Sequence, residues 1–448
     1  MVTKVGHADR KRSCVHKTRL FKCAVIFVVT SFLFLGLQLL STFLPLKEIQ
    51  NHVAQSEASF LSLNQYPHIV GKDDKYKQDL CTDSIMLNMA VPYRSLNHFD
   101  NAFNASFFSN IRNSLIPLVS RIHNWDLLNS HYLRYWNGYV VPLRVLLCIF
   151  TYQSILRINV ACFAILLIII AFLFAQRFNT LFAVFFVVIL FQLGFAAVPF
   201  SMQFASVYYI SFGAIIFELV FSRKCKIQDF APELFIVIGV STSWIDFLSA
   251  PLISLGLPLL VAFMLTQEGR LKVLVSSSFA WAFGYLFFWA SRWGLALITY
   301  PQFNIFANVY KRFAFRSGET SGLSYKIEAV GKNLSMIFAV PSSFVSHRSI
   351  FSAFVLFIIT LVLFIVWNAK KREPALRELM PFALVGMYPF IWYLLLANHS
   401  AHHYWFTYRS LSISLFSLLC IAYLIIAKDK PVLPDSAQLE EPPQLECG

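Results

Sequence analysis

Four aspartates crowd the segment GKDDKYKQDLCTDSIMLN: Asp73, Asp74, Asp79 and Asp83. A carboxylate there could take the proton of a hydroxyl as a general base, or hold a divalent cation. Asp83 is the stronger candidate for catalysis, because residues 84–90 after it are apolar and helix-like. Its carboxylate is expected near a helix N-terminus against a membrane, not in open solvent. Asp79 is the second candidate. The plain alternative is that these acids cap an ordinary loop helix.

Two further stretches carry dense polar chemistry. In HNWDLLNSHYLRYWNGYVVPLR, residues 123–144, Arg134, Tyr135, Trp136 and Tyr139 form a basic-aromatic group, with Arg144 following. Guanidinium forks match phosphate oxygens, and aromatic rings stack on sugars or sit at the headgroup level. In NHSAHHYWFTYR, residues 398–409, Asn398, His399, His402, His403, Tyr404, Tyr408 and Arg409 share one short turn. The histidines have helical metal-ligand spacing but no carboxylate beside them in sequence, so no metal site is assigned, and Arg409 is better suited to gripping a lipid phosphate. Asp246, in STSWIDFLSAP, falls in or at the end of an apolar run, where an ionisable group is expensive and reads as functional. An ion pair with Arg292 is the structural alternative. Glu218, near another helix end, reads as snorkelling to the interface.

The elements that must position these residues are apolar. Hydrophobic residues make up 57% of the 448-residue chain and charged residues 13%, and the mean hydropathy is +0.62. The expected fold is all-α: a polytopic membrane protein of about ten transmembrane helices, with large outer loops and interfacial helices. The spans are placed near residues 23–44, 158–175, 181–198, 205–221, 230–248, 251–266, 273–291, 350–367, 380–396 and 411–427. The net charge of +14 is spread between spans and not massed on one face, which argues against nucleic acid as a partner. Alternate short turns hold Arg177, Arg223, Lys224, Arg270 and Lys370, while the opposite turns near 199–204 and 249–250 hold no Lys or Arg. By the positive-inside rule both termini are cytoplasmic, in a plasma (inner) membrane protein.

Three parts are expected: a basic cytoplasmic N-terminus over residues 1–22, an integral membrane domain over 23–429 with outer loops at 45–157 and 300–349, and a disordered Pro-rich tail over 430–448. Residues 139–155 and 301–315 read as interfacial helices. The eight cysteines are scattered without ligand spacing, and Walker A and GxGxxG motifs are lacking. No cofactor is implied, and a divalent metal is left open. Three Asn-x-Ser triplets occur, at Asn104, Asn333 and Asn398.

Taken together, the acid-bearing first loop, the RYWNGYVVPLR segment and the polar final turn resemble the GT-C superfamily of polytopic glycosyltransferases. TDSIMLN, RYWNGY and NHSAHHYWFTYR look like stretches of bacterial GT-C-like proteins associated with surface polysaccharide. The resemblance implies a polyprenyl-phosphate sugar as donor and a cell-surface glycan or lipid-linked acceptor. It implies an acceptor-activating carboxylate at Asp83 or Asp79, and a donor phosphate held by Arg134, Arg144 and Arg409. Tyr135, Trp136, Asn398, His399, His402 and Asp246 would then line the substrate site. The competing classes are a multi-pass transporter or lipid/glycan flippase, and a non-catalytic scaffold.

Overall fold

The computed structural model describes residues 3–62, 64–110, 113–266, 268–319, 321–338 and 376–426, with side chains from residue 19 onward. The expected span at 350–367 and the tail at 430–448 lie outside the described residues. Helix α1 (Thr3–Leu40) leads into a polar region built of α2 (Leu46–Ala54), α3 (Leu80–Ala90), α4 (His98–Phe103), α5 (Leu115–His123) and α6 (Val140–Leu147). A short ribbon, β1 (Ser106–Phe107) and β2 (Ser130–His131), pairs antiparallel within it. The bundle follows with α7 (Tyr152–Arg177), α8 (Thr180–Gln192), α9 (Met202–Phe221), α10 (Ala231–Ile245), α11 (Leu252–Leu265) and α12 (Arg270–Thr299). Next come α13 (Ile305–Ser317) and α14 (Leu323–Ser335), then the helical segments Leu376–Leu395 and Tyr404–Ile426.

Six of these segments are long and apolar enough to cross a membrane: Arg19–Phe43, Tyr152–Arg177, Met202–Phe221, Arg270–Thr299, Leu376–Leu395 and Tyr404–Ile426. Helices α8, α10 and α11 are apolar but shorter. The protein is thus a largely helical, membrane-embedded one.

Polar contacts sort the connections to two ends of the bundle. At one end Arg19 meets Glu233 at 3.4 Å, Arg223 donates to Gln176, Gln228 donates to the Glu268 carbonyl, and Arg270 lies 3.9 Å from Glu378. At the other end lie α2–α6, α13, α14 and the turn before Tyr404–Ile426, joined by contacts such as Tyr325 to Asn398. We call this the loop end. Phenylalanines fill much of the bundle between, as where Phe174 packs on Phe182, Phe186 and Phe416. Helices α10 and α12 cross at two glycines. A Cβ on Gly239 would lie 2.3 Å from the Trp281 carbonyl oxygen, and one on Gly284 would lie 2.6 Å from that of Ile236. Only hydrogen fits there, which is how small residues let membrane helices touch.

The loop region has an apolar core of its own, with Ile49, Val53, Phe60, Leu87, Leu115, Leu118 and Leu147 fully buried. Helix α3 runs through it. Asp79 caps the helix by accepting the Thr82 amide at 2.9 Å and the Thr82 hydroxyl at 2.8 Å. The helix stops at Ala90, where Val91 is extended ahead of Pro92. Two buried arginines satisfy its C-terminal carbonyls: Arg121 donates to those of Asn88 and Val91, and Arg144 to that of Ala90 at 2.8 Å. Neither needs a carboxylate, since the negative end of the helix dipole supplies the complement.

Several sequence expectations are corrected here. Helix α3 begins at Leu80, so Asp83 lies inside its first turn and Asp79 is the cap. Arg144 is 1% exposed, with its guanidinium spent on Ala90, Ser41 and Asn101, so it is a structural strut and does not face a donor phosphate. Asp246 makes no ion pair with Arg292; its carboxylate accepts the Leu248 and Ser249 amides and the Ser249 hydroxyl. Glu218 does not snorkel, being fully buried with neither oxygen hydrogen-bonded among the described residues. The two stretches read as interfacial each contain a helix at the loop end, although residues 152–155 of the first already belong to α7. Helix α6 is short and separate from α7, and α13 exposes Phe306, Tyr310, Phe313 and Phe315 among Lys311, Arg312 and Arg316. The Asn104 and Asn333 amides are buried and bonded to Asp100 and to the Ala329 and Ser400 carbonyls, so neither triplet is open to a glycan in the fold.

Candidate functional site

Folding joins the acid-rich loop to the final turn. Lys75 sits in a single turn of 3-10 helix, and its carbonyl accepts from Arg409 Nη2 and from Tyr408 Oη, both at 3.3 Å, across 334 and 333 positions of sequence. Tyr404 donates to Asp74, which also pairs with Lys77 at 2.6 Å. The Arg409 guanidinium lies 4.4 Å over the Phe204 ring and 5.1 Å from that of Tyr408. It is 2% exposed, a desolvated cation held by aromatic faces and backbone carbonyls. Gly194, at φ +70, makes room: a Cβ there would lie 2.0 Å from Tyr408 Oη.

Asp79 and Asp83 flank this junction and dock α3 onto α9. Ser201, which starts α9, caps nothing with its own side chain; its hydroxyl accepts the Asp79 amide at 2.8 Å. Asp83 supplies the missing cap, accepting the Met202 amide at 3.0 Å and the Tyr152 hydroxyl at 2.8 Å. Both acids are buried, Asp83 at 0% exposure and Asp79 at 2%. Burial raises the Asp83 carboxyl to about 8, opposed by its hydrogen bond from Tyr152 and reinforced by Asp79. Burial raises Asp79 to only about 6, because the Thr82 bonds and the charge of Arg409 hold it down. Lys75 is lowered to about 8 by burial and by Arg409, with Asp73 opposing. Near neutrality Asp79 is therefore mostly a carboxylate within reach of the Arg409 charge, and Asp83 mostly a neutral acid.

A second group surrounds Tyr135. Its ring stacks between Tyr132 at 5.7 Å and Trp289 at 5.6 Å, and its hydroxyl accepts from Arg316. Arg134 leans on Tyr132 and donates to Asn308, while Trp136 stacks on Phe288. His399 Nε2 lies 3.1 Å from the Leu248 carbonyl; burial and the Arg316 charge push its pKa well down, so it is neutral and donates. His402 is exposed and Asn398 is bound to Tyr325 and the Phe315 carbonyl. Among the described residues three non-glycines adopt left-handed backbone, Ala105, Asn137 and Leu248, and all three border this group. The Ala105 carbonyl accepts from Tyr132, Asn137 donates to the Tyr132 and Tyr135 carbonyls, and Leu248 packs on Tyr135. Strain of this kind survives where surroundings over-determine it, and it gathers at sites with a job.

The two groups are linked through rings: Phe204 contacts Phe406, which contacts His399 and His403. Of the residues singled out from sequence, Asp79, Asp83 and Arg409 meet in the first group, while Arg134, Tyr135, Trp136, His399 and Asp246 meet around the second. Lys75 and Arg316 were missed. Lys75 looked like one more solvated charge in a polar loop, and Arg316 like a cation on an interfacial helix. Among the described residues, no three His, Cys, Asp or Glu side chains converge as metal ligands. Comparison with family models, curated proteins and solved structures finds no match for this chain.

Proposed function

We propose that the chain is a GT-C-like membrane glycosyltransferase, moving a sugar from a polyprenyl-phosphate donor to a glycan or lipid-linked acceptor. The reading takes the loop end as the outer face of a plasma (inner) membrane, with both termini cytoplasmic. The observation that carries it is the junction of Asp79, Lys75 and Arg409, a carboxylate and two desolvated cations at one end of an apolar bundle. Inverting displacement needs these groups: a base for the acceptor hydroxyl, and fixed positive charge for the departing lipid phosphate. Asp79 is the better base, since it is ionised near neutrality while Asp83 holds its proton. Lys75 and Arg409 carry the phosphate, and the Tyr132–Tyr135–Trp289 stack with Arg316 offers aromatic faces and a cation for sugar.

The test is transfer of radiolabelled sugar from polyprenyl-phosphate donors in membranes. Asp79→Asn and Arg409→Ala should each lose transfer at unchanged protein level, and Asp83→Asn should keep most of it. Transfer that survives Asp79→Asn refutes the base assignment, and no transfer with any donor refutes the class. One observation favours the transporter reading instead: Glu218, a buried acid within α9 with no hydrogen-bond partner among the described residues. Intramembrane acids commonly mark ion or substrate paths. Solute uptake into vesicles that is lost in Glu218→Gln would favour transport over transfer.

A further inference from the structure

We propose that Ser106 and His131 form a second reactive centre at the loop end, a nucleophile–base pair for acyl transfer from an ester. The two residues face each other across the β1–β2 ribbon, in register as direct cross-strand partners. Ser106 Oγ lies 3.1 Å from His131 Nδ1, and His131 Nε2 lies 2.8 Å from Tyr300 Oη. A serine bonded to an imidazole whose far nitrogen is held by a third group is the arrangement that activates a weak hydroxyl nucleophile. In the productive tautomer Ser106 donates to Nδ1, and Nε2–H donates to Tyr300.

Three surrounding features suit that chemistry. First, the residue just before the serine, Ala105, is left-handed at φ 45, so the backbone presenting Ser106 is strained. The Ala105 carbonyl is pinned by the Tyr132 amide at 3.0 Å, which holds the ribbon in register. Second, burial lowers the His131 pKa, as does the Arg292 charge, against opposition from the Asn104 backbone and Asp100. The ring is therefore neutral at pH 7, as a base must be. Third, Arg292 is 1% exposed, and its Nε is held by the Tyr135 carbonyl at 3.1 Å. Its two terminal nitrogens have no hydrogen-bond partner among the described residues. A buried guanidinium left short of acceptors is costly, and a developing oxyanion would supply what it lacks.

The step balances without an oxidant or reductant. Ser106 Oγ attacks the ester carbonyl and passes its proton to His131 Nδ1. The carbonyl–oxygen bond to the leaving alcohol breaks, and the alcohol departs with that proton, leaving acyl-Ser106. A water or acceptor hydroxyl, deprotonated by His131, then displaces the serine, which recovers a proton from the imidazolium.

The full-length protein in detergent micelles would be treated with a fluorophosphonate probe, and labelled peptides mapped by mass spectrometry. Ser106 should be modified, and Ser106→Ala should abolish that modification. His131→Gln should slow it at least tenfold, and Ser109→Ala, one strand-length away, should leave it unchanged. The rate should rise with pH and level off below pH 7, following the lowered His131 pKa. Should His131→Gln fail to fold, Tyr300→Phe removes only the hydroxyl that orients the ring and should slow labelling several-fold. Labelling should proceed at the wild-type rate in Asp79→Asn, so it does not depend on glycosyl transfer. A folded wild-type protein that stays unlabelled at Ser106 overturns the proposal, as does labelling of folded His131→Gln or Tyr300→Phe at the wild-type rate.

Discussion

Replacing Asp83 by Asn should make the protein more stable at alkaline pH, and the structure sets the size of the gain. The Asp83 carboxyl is raised from 3.8 to about 8, chiefly by burial. A raised acid pKa means that folding favours the protonated form. Its contribution is fully present below pH 3.8 and is lost as pH climbs through about 8. The difference is about four pKa units, and at about 1.4 kcal/mol per unit the penalty above pH 8 is on the order of 5 kcal/mol. Asn copies the neutral acid: its Oδ1 can accept the Met202 amide, and its NH2 can donate to Tyr152 Oη. The penalty should therefore vanish in Asp83→Asn, while Asp83→Leu should be about 1–3 kcal/mol less stable than Asp83→Asn at any pH, because it orphans the Met202 amide. Thermal unfolding of the detergent-solubilised protein at pH 6, 7.5 and 9 is the assay. At roughly 2 °C per kcal/mol, wild type should lose several degrees more than Asp83→Asn between pH 6 and 9. Equal losses in the two proteins, or a variant less stable than wild type at pH 9, would refute the reasoning.

Further outcomes follow from the same geometry. Transfer activity should be bell-shaped in pH, rising near 6 as Asp79 ionises and falling near 8 as Lys75 loses its proton; Lys75→Arg should move only the alkaline limb, upward. Arg144→Met should destabilise by about 2–4 kcal/mol by orphaning carbonyls at the end of α3, read as a lower thermal midpoint, with the phosphate dependence of activity unchanged. Gly239→Val should force α10 from α12 and reduce the yield of monodisperse protein, whereas Gly331→Ala, where a Cβ would meet nothing within 4 Å, should not.

Much of the scaffold was legible in the chain. Apolar runs of bilayer length identify their own helices because the backbone has no other way to satisfy itself in lipid. Long runs such as Arg19–Phe43 and Tyr152–Arg177 therefore appeared near their expected places. The polar-rich segments singled out in the chain are gathered by the structure at one end of the bundle. The roles of individual residues were another matter. Arg144 and Arg409 look alike in sequence, each a lone cation in a mostly uncharged stretch. One is consumed by helix carbonyls, and the other is set over rings with an acid in reach.

The sequence by itself determined that this is a helical membrane protein and where its chemistry-bearing residues are concentrated, because hydrophobic length and polarity are local quantities. Only the tertiary structure decided that Lys75 joins Arg409, that Asp83 caps α9 while the Arg409 charge reaches Asp79, and that Ser106 meets His131. Each of those depends on burial and on a partner distant in the chain. A charge or a proton takes its energy from the groups around it, and those groups are assembled by the fold.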